Sequence, residues 1–380
     1  MIIINKLLHF TQTGGSNSMK TYKKLFSIIL VMAISFLSLS SANTVQAVSP
    51  GRWAGTLYTE FSKIGDGDSI LLEQNSNFIL ADVGRWGDST TVKSTLTKRG
   101  VNYLQAIIIS HYDADHAGGI LEVASHINNN IGNVYARFYS KTDLTVLYQY
   151  SQDDVFFNYI KVVNLIVRIS NLRNGTSIAE LPYTANVDTV YAKALSVFGS
   201  GTGIWKSPNR GSANIAFGNA TIEWKNRAES YLPSVTGDSN FSGHVNNDSL
   251  VFRIVTVSGI KLLFLGDLGT TGVANLVSSR STYPIDCDVL KISHHGHRYS
   301  TSQNLLTYTT PVYSIVTCAS NEGASTLTTD TSARLSTLTS VYTGLGKVYY
   351  VGSQSSASST LAVTNASVYD LGTLFYYGTN

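Results

Sequence analysis

The run Ser110-His111-Tyr112-Asp113-Ala114-Asp115-His116-Ala117-Gly118-Gly119 constrains this chain more than any other stretch. It follows Leu104-Gln105-Ala106-Ile107-Ile108-Ile109, an apolar, β-branched segment of the kind that fills a buried strand. Four side chains able to bind a metal therefore stand where a strand ends. His111 and Asp113 are two apart and project to one side of an extended chain, whereas Asp115 and His116 fall where the backbone turns through Gly118-Gly119 towards Ile120-Leu121. Two pairs of ligands are thus aimed at two neighbouring points. Held within six residues, these groups would repel one another or lack partners unless a cation lay between them, so the loop reads as a metal site. The plain alternative is a polar surface loop whose Asp residues cap a helix.

The histidines weigh against that alternative. Of the eight, His111, His116, His244, His294, His295 and His297 fall in loops at strand ends, while His9 lies near the start and only His126 stands elsewhere. Histidines that merely face solvent or core would scatter. Ser242-Gly243-His244-Val245-Asn246-Asn247-Asp248-Ser249 opens onto a strand over residues 250–257, and residues 260–265 make another that ends in Gly266-Asp267. A third, over residues 288–292, ends in Ser293-His294-His295-Gly296-His297. Ligands at the edge of rigid strands are how layered α/β proteins build their chemistry.

With 380 residues, 43% hydrophobic and 13% charged, the chain can bury a large core, which excludes a disordered protein. Met19-Lys20-Thr21-Tyr22-Lys23-Lys24 is a better beginning than Met1: a basic segment precedes the apolar run over residues 25–39, and Val45-Gln46-Ala47 is a small-x-small cleavage pattern. Residues 1–47 are therefore expected to be an extension plus secretory signal peptide, and residues 48–380 an exported domain. The apolar run is shorter than the ~20 residues of a membrane span, so no stable membrane association is expected. Residues 1–47 hold four of the 27 basic residues and none of the 24 acidic ones, leaving 23 basic against 24 acidic, a net of −1. That balance does not demand a polyanionic partner. Cys287 and Cys318 could pair after export or stay as buried thiols.

In order, residues 53–60 and 61–73 alternate apolar and polar and read as strands around Gly65-Asp66-Gly67-Asp68-Ser69; residues 78–81 make a strand ending in Asp82-Val83-Gly84. Residues 90–99 have helical spacing with Gly100 as cap. The order of elements indicates mixed α/β. Residues 125–243, rich in Tyr, Asn and Ser, offer a helix over 155–171 and a strand over 220–225, and read either as an inserted specificity region or as ordinary core.

His111-x-Asp113-x-Asp115-His116, with Gly65-Asp66-Gly67-Asp68-Ser69 and Asp82-Val83-Gly84 before it and Asn246-Asn247-Asp248-Ser249, Gly266-Asp267 and Lys291-Ile292-Ser293-His294-His295-Gly296 after it, resembles the metallo-β-lactamase fold superfamily. Within it the pattern is most similar to the extracellular nuclease domain of the ComEC-type DNA-uptake protein, over roughly residues 54–350. The resemblance implies an αββα sandwich with a long insertion between the second and third motifs and a site for two divalent metal ions, Zn or Mn. By position, His111 and Asp113 would hold the first ion, and Asp115 and His116 the second, with Asp267 bridging. His294 or His295 would add a ligand, His295 being favoured, which leaves His294 for a catalytic part beside Asp115 and Asp267. The superfamily's usual second histidine is Asp113 here, which hardens the first site towards Mn²⁺. His244 stands five positions before Ser249, as the superfamily's third-motif histidine does, and either completes the first site or is a solvated surface histidine. Asp68 and Asp82 would orient ligands. A Gly-His-Pro segment found in many relatives is missing near Asn321-Glu322-Gly323-Ala324, so His297 or His294 would have to protonate the leaving group.

Two cations about 3.5–4 Å apart bring a shared water to a pKa near neutrality. The resemblance thus implies a secreted metal-dependent hydrolase, with a small-molecule or polymer phosphodiester as substrate, nucleic acid included, and no protein partner. The alternatives are a phosphorylcholine esterase-like enzyme, a lactonase, or a non-catalytic extracellular binding module.

Overall fold

β-Branched and aromatic runs cut by Gly, Asn and Asp build two sheets, in which the strands nearest the centre are wet on neither face. The computed structural model describes residues 56–150, 154–198, 203–234, 241–297, 300–318 and 341–351, with three strands beyond. The expected leader and Asn321-Glu322-Gly323-Ala324 lie outside the described residues.

The first half runs β1 (Leu57–Phe61), β2 (Ile70–Gln74), β3 (Asn77–Ala81), α1 (Ser89–Lys98), β4 (Leu104–Ile108), α2 (Ala114–Ala117), α3 (Ile120–His126) and β5 (Ile131–Tyr135). Then come α4 (Lys141–Tyr150), α5 (Val155–Asn174), α6 (Val187–Phe198), β6 (Trp205–Lys206), β7 (Ile215–Phe217) and β8 (Ala220–Trp224). The second half holds α7 (Phe241–Asn247), β9 (Phe252–Val255), β10 (Lys261–Phe264), α8 (Thr270–Ser278), β11 (Val289–Lys291), α9 (Gln303–Thr309), β12 (Tyr313–Thr317) and β13 (Lys347–Val351). It closes with β14 (Ser359–Val363), β15 (Val368–Asp370) and β16 (Phe375–Thr379).

The described strands form two sheets, in the orders β15-β14-β1-β2-β3-β4-β5-β6 and β16-β13-β12-β11-β10-β9-β8-β7. One core lies between them, where Leu57, Ile79 and Ile108 meet Trp224, Phe252 and Leu262. A second fills the space between the first sheet and α1, α3 and α4–α6; a third packs the second sheet against α8 and α9. Those three cores make four layers, helix, sheet, sheet, helix, which is the expected αββα sandwich.

Several local expectations are sharpened. The strand, glycine loop, strand order over residues 53–73 is present with a longer loop: β1 ends at Phe61, residues 62–69 form the loop, and β2 starts at Ile70. The alternation there marks no wet face, because Glu60 and Glu73 are 1% and 2% exposed, and Glu60 is paired with Arg99. The stretch around His244 is helical (α7) where an open loop was expected. Residues 125–243 supply β5 and β6 to one sheet and β7 and β8 to the other, with α4–α6 as the crossover between the parallel neighbours β5 and β6. α5 is long and apolar enough by composition to cross a membrane, but most of it is buried in the core. Cys287 and Cys318 are both buried as thiols, not joined in a disulfide.

β3, β4, β5 and β6 run parallel, as do β10, β11, β12 and β13. Asp82, the Ser110–Gly119 loop, Asp267, His295 and Thr317 all sit at the carboxyl ends of these strands. Open α/β sheets bind their ligands at that edge.

Candidate metal centre

The centre is assembled on Ser110, the residue that ends the β4 run. Its backbone N–H donates to Asp82 Oδ1 and its Oγ to Asp82 Oδ2, each at 2.7 Å. Its carbonyl accepts from Leu250 N at 2.7 Å, which ties the first sheet to the second. Asp82 holds φ at 54°, a strained value for a non-glycine residue that the two Ser110 contacts and the strand end maintain. Gly266 is required here: at φ 55° a Cβ on it would lie 2.8 Å from Ser110 Cβ and 3.0 Å from Ser249 Cβ. Asp113 caps α2 in extended conformation, and the single turn that follows carries Asp115 and His116.

Asp115, His116, Asp267 and His295 each bring one ligand atom into a group whose members all lie within 4.8 Å of one another. His116 Nε2 is 3.2 Å from Asp267 Oδ2 and 3.3 Å from His295 Nε2; His295 Nε2 is 3.3 Å from Asp267 Oδ2 and 3.5 Å from Asp115 Oδ2. The other nitrogen of each imidazole is engaged from behind. His116 Nδ1 meets Asp82 Oδ2 at 2.9 Å, and His295 Nδ1 meets the Thr317 carbonyl at 2.9 Å. Thr317 Oγ1 donates to Asp68 Oδ1 at 2.6 Å, and the far oxygen of Asp68 is paired with Lys291 in a fully buried ion pair. Such contacts select the tautomer that turns Nε2 to the centre. His111 and Asp113 stand beside this group, with His111 Nε2 3.5 Å from Asp113 Oδ2 and the His111 and His116 ring centroids 4.2 Å apart.

Charge is unevenly held. Burial alone would depress His116, but Asp267, Asp82 and Asp115 keep its imidazole well above the usual histidine range. His295, likewise opposed by burial, is pushed up to about 9 by Asp267 and Asp115. Burial would raise Asp267, and the two imidazoles hold it well below the usual carboxylate range; Asp115 is lowered in the same way, chiefly by His116. Protons on two imidazoles whose Nε2 atoms nearly touch thus do the work a cation would do between those carboxylates. His294 behaves oppositely, burial holding it down at about 4.

The sequence profile of the metallo-beta-lactamase superfamily matches residues 63–320. The chain belongs to the metallo-β-lactamase superfamily. Its fold is also similar to solved structures of low identity. One is a Cronobacter sakazakii metallo-β-lactamase with a HARLDQ motif, 15% identical over 63% of this chain and 77% of that one, TM-score 0.35. Another is a subclass B3 metallo-β-lactamase from a soil metagenome library, 14% identical over 65% and 78%, TM-score 0.35. The comparison with curated proteins yields no match.

Superfamily members are metal-dependent hydrolases that bind divalent ions, usually zinc. The residues present fit such an ion: His111 Nε2 and Asp267 Oδ1 are buried without a hydrogen-bond partner, and donors of mixed imidazole and carboxylate type suit a divalent cation. The structure thus brings Asp115, His116, Asp267 and His295 together and sets His111 and Asp113 beside them. Of the two adjacent histidines, His295 enters the group, at φ 51°; His294, at φ 48°, stands at its mouth, 3.9 Å from Asp267 and stacked on His297. His244 lies half-buried on α7, outside the ligand groups found among the described residues.

Asp68, Asp82 and His116 form a second group, but the ammonium of Lys291 already answers Asp68 there. Sequence reasoning assigned no role to Ser110, Lys291 or Thr317. Lys291 carried a usable signal, a lone cation inside the apolar run of β11, which demands a buried counter-charge.

Proposed function

We propose that this chain is an exported metal-dependent phosphodiesterase, of the branch typified by the ComEC-type nuclease domain. The observation that carries the reading is the donor set: Asp113, Asp115 and Asp267 stand among His111, His116 and His295, so half of the candidate ligands are hard carboxylates. Hard oxygen donors favour ions such as Mn²⁺ beside Zn²⁺, and these suit phosphoryl oxygens as partners. A divalent ion bound there supplies Lewis-acid polarisation and lowers the pKa of a water.

The chain's own groups have separable parts in this reading. Asp267, buried and held anionic by His116 and His295, fixes the centre of the donor set. Asp115, its side chain 18% exposed, is the carboxylate that meets an entering water and orients it by accepting its hydrogen bond. His294, held down at about 4 by burial, is a neutral imidazole at pH 7; 32% exposed at the mouth of the centre, it is placed to hydrogen-bond an entering substrate.

The test is hydrolysis of bis(4-nitrophenyl) phosphate by residues 48–380, stripped and reloaded with Mn²⁺ or Zn²⁺, with Asp115→Ala as control. Metal-dependent turnover that disappears in Asp115→Ala is expected. Two bound ions without turnover would move the reading to lactones and other esters; no bound ion would leave a binding module.

A further inference from the structure

Next to the centre, the 3₁₀ turn Trp86–Asp88 rests on the ligand loop. Gly119 N donates to the Gly84 carbonyl at 3.0 Å, and a Cβ on Gly118 would lie 3.1 Å from Trp86 N, so turn and loop touch backbone to backbone. Two side chains leave this turn. One nitrogen of the Arg85 guanidinium is bonded to the Asp66 carbonyl, while NH2 lies 3.5 Å from Asp115 Oδ2, the atom that is itself 3.5 Å from His295 Nε2. The Arg85 side chain is 49% exposed even with these contacts made. Trp86 is 67% exposed, whereas Trp205 and Trp224 are 3% exposed each.

Trp86, the most exposed of the described tryptophans, follows directly on Arg85, whose guanidinium reaches Asp115 of the ligand group, so an exposed indole stands at the rim of the centre. Carboxylates lie close by: Asp115 Oδ2 at the guanidinium and Asp88 Oδ2, which accepts from the Arg85 backbone N–H at 2.9 Å. An anion reaches the guanidinium only against those carboxylates, so the arrangement favours one that also leans on a cation at the centre. Guanidinium takes phosphate oxygens through paired N–H donors, and an exposed indole is a platform for a planar ring.

We propose that Arg85 and Trp86 form a subsite at the rim of the centre that grips a nucleotide, guanidinium on the phosphate and indole on the base. The inference rests on the phosphodiesterase reading and narrows it to nucleotide-type diesters over glycerol phosphate polymers. Its test does not need turnover. The full chain loaded with Mn²⁺ is titrated with adenosine 5′-monophosphate, followed by tryptophan fluorescence and by calorimetry, with glycerol 3-phosphate as comparator.

Saturable quenching is expected, lost in Trp86→Phe; that variant also controls for Trp53, which lies outside the described residues. Trp86→Ala, which removes the stack, weakens calorimetric affinity about fivefold or more. Arg85→Met is expected to weaken binding about tenfold or more at unchanged metal content, with Arg85→Lys in between. Equal affinity for the two phosphates, quenching that persists in Trp86→Phe, or unchanged affinity in Arg85→Met would overturn the proposal. So would a loss of bound metal in Arg85→Met, which would make Arg85 a support of Asp115. Nucleotide binding without hydrolysis of any diester would sink the phosphodiesterase reading and leave the subsite; hydrolysis without these binding differences would do the reverse.

Discussion

The two halves of the centre are built to different standards. In one half, His116, His295 and Asp267 are buried, and each is held from behind: His116 by Asp82 and Ser110, His295 by Thr317, and the Asp267 backbone by Ser249. In the other, His111 Nδ1 has Ser110 Oγ at 3.0 Å, but Nε2 has no hydrogen-bond partner among the described residues and lies 3.5 Å from Asp113, whose side chain is 21% exposed. A donor that is already oriented loses little freedom on binding, whereas one that must be ordered gives up affinity. The braced half is therefore the tight site and the His111–Asp113 half the weak one.

The largest effect should come from the braced half itself. Asp267→Ala removes the anion shared by His116 and His295, and bound metal and turnover are expected to fall to background, read by metal analysis and diester hydrolysis. Lys291→Met comes next. It strands Asp68 in a dry interior, for which a loss of about 3–5 kcal/mol is expected in urea unfolding of the metal-free chain. Asp82→Ala leaves the ligands in place but frees the His116 ring, and metal affinity should drop about 10–100-fold in a chelator competition. Asp113→Ala should weaken only the second ion to bind, and if it cost as much metal as Asp267→Ala the contrast between the halves would be broken.

The shallowest test is pH. His295 is raised to about 9 in the folded, metal-free chain, and His116 is raised as well. A raised imidazole contributes stability that is complete below about pH 6.5 and lost as pH climbs through about 9. Thermal unfolding of the metal-free chain should therefore shift to lower temperature across that window. Metal affinity should rise over the same window, because fewer protons have to leave. A metal-free chain whose stability is flat from pH 6.5 to 9 would contradict the assignment of charge to the two imidazoles.

What the sequence made legible was the set of strand-end ligands, because apolar runs followed by His and Asp announce themselves locally. The layering followed from the same runs. The identity of the histidine that enters the centre was not legible: His294 and His295 are adjacent and chemically alike, and only their left-handed backbone decides which ring turns inward. The brace from Lys291 through Asp68 and Thr317 to His295 joins residues up to 249 positions apart, and no local pattern encodes that. For His244 the spacing to Ser249 left ligand and surface histidine both open, and the structure places it on α7, outside the ligand groups found among the described residues. Strand ends in the first motif blurred because burial on both faces erases alternation.

The bond from Leu250 N to the Ser110 carbonyl has a consequence for timing. Asp115 and His116 arrive with the first sheet, Asp267 and His295 with the second, and nothing short of their docking brings the four together. A chain lacking the second sheet holds only the ligands of its own loop, without Asp267 and His295. The complete group of four exists only in the finished molecule, so a cation held by all four would act as a seal across the docked sheets.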